Sequence, residues 1–272
     1  MNLETRFVRF LHAFGLYREQ PNGRFSRMAE HDHDHIHEVF QASTINALLE
    51  GVYDGEISYG TLREHGDFGL GTFNGLDGEM IAFDGDFYQI RADGKVYPVS
   101  DEQKTPFAVV QFFEPDMHRD IEGPMDFAGL ETYLQGLLPT TNFFYAIRIN
   151  GRFPYMKTRS VPRQHKPYPP LVEVAKQQPI FEFQDVAGDL VGFRFPDYAQ
   201  GFNVPGYHLH FLTVDRTAGG HVLDFRLENG RLALEHTTNF HLELPESGDF
   251  VQANLDKDQS QAIHQVEKGD AN

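Results

Sequence analysis

Three histidines in the last third of the chain have the type and spacing of a metal site. In Tyr207-His208-Leu209-His210-Phe211-Leu212-Thr213, apolar and aromatic residues alternate with two histidines. Successive side chains of a strand point to opposite faces, so His208 and His210 project to one side and Tyr207, Leu209 and Phe211 to the other. Asp215-Arg216-Thr217-Ala218-Gly219-Gly220 has the composition of a turn. The chain should double back there and bring His221, at the head of a strand through Val222 to Arg226, beside the other two. Three imidazoles converging on one point, with a position open for water or substrate, is the ligand count of a catalytic zinc site rather than a structural one. The chain has no cysteine, which removes thiolate ligands, thiol catalysis and disulfides together and leaves any metal to His, Asp or Glu.

A second run, His31-Asp32-His33-Asp34-His35-Ile36-His37-Glu38, carries more ligand types. It lacks an apolar framework to fix its geometry, and the expectation is a solvated segment that catalysis does not need.

The elements that position the histidines follow from pattern. Residues 3–14 have helical apolar spacing, and Gln20-Pro21-Asn22-Gly23 is a turn or linker. Ser43 to Leu49 reads as a helix ending at Glu50-Gly51. From Tyr59 to Glu114 short strands alternate with Asp-Gly turn signals: Met80 to Phe83, Phe87 to Arg91, Lys95 to Val99, Phe107 to Phe113. Phe127 to Leu138 is a helix stopped by Pro139. Asn142 to Gly151 and Phe153 to Val161 alternate as strand. A proline-rich loop, 162–170, and a short helix over Leu171 to Gln178 follow. Ile180 to Asp185, Leu190 to Pro196 and Leu232 to Leu244 complete the strands, and Asp256-Lys257-Asp258-Gln259 opens a last helix reaching Glu267. The reading is an α+β, predominantly β protein in three parts: a peripheral extension over 1–38, a mixed-sheet domain with helices over 39–165, and a β-barrel-like domain over 166–272 that carries the zinc site.

With 272 residues, 40% hydrophobic content and 25 phenylalanines, the chain can bury a sizeable core. A net charge of -17 argues against nucleic acid or an anionic membrane as partner, and a small anionic substrate would need local positive charge. Arg6, Arg9 and His12 interrupt any signal-peptide core and no apolar run reaches spanning length, so the expected location is cytoplasmic. Gly69-Leu70-Gly71 is followed by neither a helix nor Lys-Ser/Thr, so no nucleotide fingerprint is met.

Several stretches, taken together, resemble the α-acetolactate decarboxylase family: 49–55 (Leu-Glu-Gly-Val-Tyr-Asp-Gly), 66–74 (Gly-Asp-Phe-Gly-Leu-Gly-Thr-Phe-Asn), Leu76-Asp77-Gly78-Glu79, Thr158-Arg159-Ser160-Val161-Pro162, and the histidine hairpin with Asp215-Arg216 and Gly219-Gly220-His221. They stand in family order between about Gln41 and Glu267. The resemblance implies a largely β, two-domain homodimer that converts 2-acetolactate to acetoin and CO2 with Zn2+. It makes His208, His210 and His221 the metal ligands, and places Glu79, Arg159 and Glu267 around the site with Thr72 beside them.

The chemistry fits those residue types. Loss of CO2 from a small anionic 2-hydroxy-3-oxo acid leaves an enediolate, and zinc offers a Lewis-acid sink for its charge without an organic cofactor. Arg159 has the fork geometry that suits a carboxylate, and Glu79 and Glu267 are candidates for proton transfer. Two other readings stay open. A cupin-like metal-dependent oxygenase or isomerase also carries His-x-His on a strand, although cupins place a ligating Glu a few residues later, where this chain has Thr213-Val214-Asp215. A metal- or sugar-binding β module would use the early His/Asp run.

Overall fold

Period-two burial builds the molecule. The computed structural model describes residues 17–19, 25–27, 37–246 and 248–268. Its strands are β1 (Tyr17–Glu19), β2 (Phe25–Arg27), β3 (Glu38–Ala42), β4 (Ile57–Ser58), β5 (Phe68–Thr72), β6 (Glu79–Phe83), β7 (Asp86–Ile90), β8 (Val96–Pro98), β9 (Lys104–Thr105), β10 (Ala108–Gln111), β11 (Met117–Asp126), β12 (Phe144–Arg159), β13 (Ile180–Phe195), β14 (Gly206–Thr213), β15 (Gly219–Thr237) and β16 (Asn239–Glu243). The helices are α1 (Ile45–Leu49), α2 (Tyr59–His65), α3 (Phe127–Leu137), α4 (Leu171–Ala175), α5 (Gly248–Gln252) and α6 (Ser260–Lys268).

Seven strands form one sheet in the order β16-β3-β10-β5-β6-β7-β8, with β16 parallel to β3 and the other pairs antiparallel. A second sheet runs β11-β15-β12-β13-β14, and β14 also pairs with β15, so β12, β13, β14 and β15 pair in a closed circuit. Alternate residues of each strand enter different apolar clusters. Val39, Ile81 and Val109 pack between the sheets with Val191, Phe193 and Leu212, while Phe40, Met80, Ala82 and Val110 pack outward with Tyr59 and Leu62 of α2. On the far face of the second sheet, Leu209, Phe211 and Ile147 pack with Leu130 and Leu134 of α3. The architecture is α+β and predominantly β.

Several elements depart from the pattern reading. Tyr59–His65, expected as strand, is a helix because Ser58 caps it, accepting from the Thr61 N–H at 3.1 Å, and its buried Tyr59 and Leu62 cover the first sheet. The expected break between Asp185 and Leu190 is absent, and β13 runs through it. Gly188 lies in extended pairing with Thr213, and a Cβ there would strike the Phe211 ring, so this glycine permits close approach rather than a turn. The expected strand 232–244 divides, its first part ending β15 and its second becoming β16 in the other sheet. Sheet membership therefore does not change at residue 165: β11 and β12 belong with β13 to β15, and β16 with β3. The last helix begins at Ser260, whose N–H donates to Asp258 Oδ1 at 2.9 Å. Lys257 and Gln259 instead reach the carboxylate of Glu50. The helix expected over residues 7–14 lies outside the described residues.

Candidate active site

Parity along β14 delivers two histidines to the space between the sheets. Leu209 and Phe211 enter the far cluster, so His208, His210 and Leu212 face inward. Thr213 and Ala218 close the turn, with the Thr213 N–H donating to the Ala218 carbonyl at 2.9 Å, and β15 returns with His221 directly across from His210. Gly220 sits at φ +139°, and a Cβ there would run into the carbonyl oxygen of Arg159, so glycine is what allows β15 to lie this close to β12. Arg159 in turn stands opposite His221.

Arg159 reaches the same space through a change of parity. Odd-numbered residues of β12, Tyr145 to Phe153, face the far cluster, but beyond Pro154 the even-numbered Met156 does so. Pro154 has no N–H to donate, and no partner pairs with it from either neighbouring strand. After that switch Arg159 and Val161 fall on the side between the sheets, lining one cavity with His208, His221, Thr72, Glu79 and Glu267. Thr72 and Glu79 are cross-strand partners on β5 and β6, and the Thr72 hydroxyl donates to the Gly78 carbonyl at 2.6 Å, bracing the turn that precedes Glu79. Glu267 comes from α6, whose Ile263 and Val266 are buried in the core between the sheets. The Gly69 and Gly71 pair is explained without phosphate: a Cβ at either would strike the backbone of β10.

The donor set fits a cation. His208, His210 and His221 are 8%, 1% and 3% exposed, and each offers a ring nitrogen within 4.8 Å of the others. His210 Nδ1 lies 2.7 Å from the Met80 carbonyl, an acceptor only, so Nδ1 carries the proton and the buried Nε2, which has no hydrogen-bond partner, presents a lone pair. His221 is arranged the other way round, with Nε2 facing the Glu267 backbone carbonyl at 3.2 Å and Nδ1 facing His208 Nε2 at 3.2 Å. Two nitrogens bound tetrahedrally to zinc at about 2.0–2.1 Å would stand about 3.3 Å apart. Burial, with the charge of Arg159 beside it, lowers His208 to about 3, and burial holds His210 and His221 well below the usual imidazole range. All three are thus neutral, as ligands must be. Their contacts with carboxylates, Glu267 Oε2 at 3.6 and 3.7 Å from His208 and His221 and Glu79 Oε2 at 3.7 Å from His210, are consequently not ion pairs.

Burial raises both carboxyls into the neutral range. Glu79 is raised to about 8, with Arg159 opposing the shift and Glu267 adding to it, and Glu267 is raised to about 7 against the pull of Arg159. Burial lowers Arg159, opposed by the two glutamates. Its Nη1 donates to Gln178 Oε1 at 3.0 Å and its Nε has no partner. Gln178 was not singled out by sequence, since the second of two glutamines ahead of a proline has no pattern to mark it. Of the early His/Asp run only His37 and Glu38 are described; His37 Nδ1 lies 2.9 Å from Glu235 Oε1, apart from the triad. Among the described residues the triad is the cluster with metal-ligand spacing.

Known proteins similar to this chain fall in one family. A family model described as alpha-acetolactate decarboxylase matches residues 39–257. The chain is 52% identical over 258 residues to an alpha-acetolactate decarboxylase of Methylococcus capsulatus, covering 95% of this chain and 97% of that one. It is 53% identical over 230 residues to that of Methanosarcina mazei, covering 85% and 80%. The crystal structure of alpha-acetolactate decarboxylase from Bacillus subtilis superposes with a TM-score of 0.83 at 46% identity, covering 85% of this chain and 99% of that one.

Proposed function

The chain belongs to the alpha-acetolactate decarboxylase family and is a carboxy-lyase acting on acetolactate, and from that premise we propose that one zinc ion held by His208, His210 and His221 serves the reaction. The observation that carries the metal assignment is the buried, unpartnered Nε2 of His210, its lone pair aimed at two other neutral imidazoles. When bound, zinc would supply Lewis-acid stabilisation for the negative charge that decarboxylation places on the substrate's oxygens.

The remaining roles belong to side chains. Arg159 takes the substrate carboxylate and orients it, a task for which its buried, unpartnered Nε–H is available. The bond to the carboxylate breaks, CO2 departs, and the electron pair moves onto the neighbouring ketone. One of Glu79 and Glu267 accepts the hydroxyl proton and returns it to that oxygen after CO2 has left, while the other delivers the one proton the reaction consumes to the carbon that carried the carboxylate, giving acetoin. A carboxyl raised to about 7 or 8 exchanges a proton readily at neutral pH. Thr72 holds the backbone that presents Glu79. The β13–β14 and β15–β12 pairings act as a small barrel around this site, and the working unit is a cytoplasmic homodimer.

Turnover without oxygen or reductant separates this reading from an oxygenase. Acetolactate should yield acetoin and CO2 in equal amounts under argon, and a requirement for oxygen would refute the assignment.

A further inference from the structure

Arg159 is 3% exposed, yet its one hydrogen-bond partner among the described residues is a neutral amide. Buried arginines are ordinarily paired with carboxylates, because an unpaired guanidinium is costly to desolvate. Less deeply buried arginines do pair with carboxylates, Arg148 lying 2.7 Å from Asp84 and 3.1 Å from Asp189 and Arg216 3.1 Å from Asp189, whereas the buried Arg194 donates to the Thr141 carbonyl. Among the described residues Arg159 forms no ion pair, although Glu79 and Glu267 line the same cavity.

We propose that Gln178 is a positioning residue for the decarboxylation: it orients the Arg159 guanidinium through a neutral acceptor and so leaves the charge and the Nε–H free for the substrate carboxylate. The proposal rests on the reading that Arg159 receives that carboxylate. Backbone structure holds Gln178 in place. Helix α4 stops at Ala175, the Pro179 carbonyl accepts from the Ser160 N–H at 3.3 Å, and Ile180 pairs with Arg159, so the amide stands against Nη1 on the cavity wall. A glutamate here would have the same shape and would neutralise the guanidinium as a bidentate or single-point partner.

The test compares Gln178→Glu and Gln178→Ala with the unsubstituted protein, all zinc-loaded. The readouts are steady-state kinetics and calorimetric binding of two probes, the anion 2-hydroxy-2-methylpropanoate and the neutral product acetoin. Gln178→Glu should raise KM and weaken anion binding by about tenfold or more, the effect of placing a charge beside the guanidinium at low dielectric. Acetoin binding, zinc content and Tm should stay as they were. Gln178→Ala, which loses orientation but leaves the charge, should lower kcat with a smaller change in KM. Unchanged KM and anion binding in Gln178→Glu would overturn the proposal, as would equal weakening of anion and acetoin, which marks a structural role. Equal anion binding by Arg159→Ala and the unsubstituted protein would instead overturn the parent assignment of Arg159, and the proposal with it.

Discussion

In the proposed reaction Glu79 and Glu267 set the proton chemistry, and the physical reason is desolvation rather than hydrogen bonding: both are buried beside neutral imidazoles, with the positive charge of Arg159 acting on them. Replacing either by Gln keeps the shape and removes the basicity, so kcat should fall by about 10²–10⁴-fold with zinc content unchanged. Steady-state kinetics beside metal analysis checks this. The same shifts make the metal-free protein pH-sensitive in a defined window. A carboxyl raised from 4.5 to about 8 in the folded state binds protons that the unfolded chain has already lost, so stability falls as pH rises toward 8. The lowered histidines act in the opposite sense, but only below the ordinary imidazole value of 6.5. Between pH 6.5 and 8 the two glutamates act in one direction, joined by His37, which its hydrogen bond to Glu235 raises above 6.5, and the chelated protein should lose thermal stability across that interval. A bound cation favours the ionised carboxylates, so the zinc-loaded protein should show a flatter profile in parallel melting curves.

The hairpin of β14 and β15 is the element on which the site depends, and Gly220 is the point at which it meets Arg159 of β12. Gly220→Ala adds a Cβ at φ +139° against the Arg159 carbonyl, so it should cost about 1–3 kcal/mol and weaken zinc retention by displacing His221. Denaturation and metal analysis measure both. This hairpin was legible in the sequence because alternation of His with Leu and Phe states both the strand and the face. Glu79, Arg159 and Glu267 were legible only through family resemblance. One acidic residue among 40 carries no mark of burial, and Arg159 reaches the site through a parity switch at Pro154 that alternation cannot foresee. Gly188 misled because a glycine that permits close packing looks the same in sequence as one that makes a turn. That the end of the expected strand 232–244 joins the other sheet as β16 was hidden for another reason, since its partner β3 lies two hundred residues away and pairing over that distance leaves no local signal.

At the scale of the whole molecule, the site lies where two sheets pack and a C-terminal helix joins them. The first sheet supplies Thr72 and Glu79, the second supplies Arg159 and the histidines, and α6 supplies Glu267. The buried guanidinium of Arg159 gives a protein of net charge -17 a local attraction for an anion at this site. Of the early His/Asp run, the described residues His37 and Glu38 lie outside this assembly, and His37 has a structural partner in Glu235. Deleting residues 1–36, which spares His37 and β3, should therefore leave zinc content and turnover close to those of the full chain. The account stands most directly on the triad. Zinc titrated into the chelated protein should restore acetoin production in proportion up to one equivalent per chain and no further, while His210→Ala should neither retain zinc nor recover turnover. Full activity of the chelated protein, or a His210→Ala variant with undiminished zinc and turnover, would contradict it.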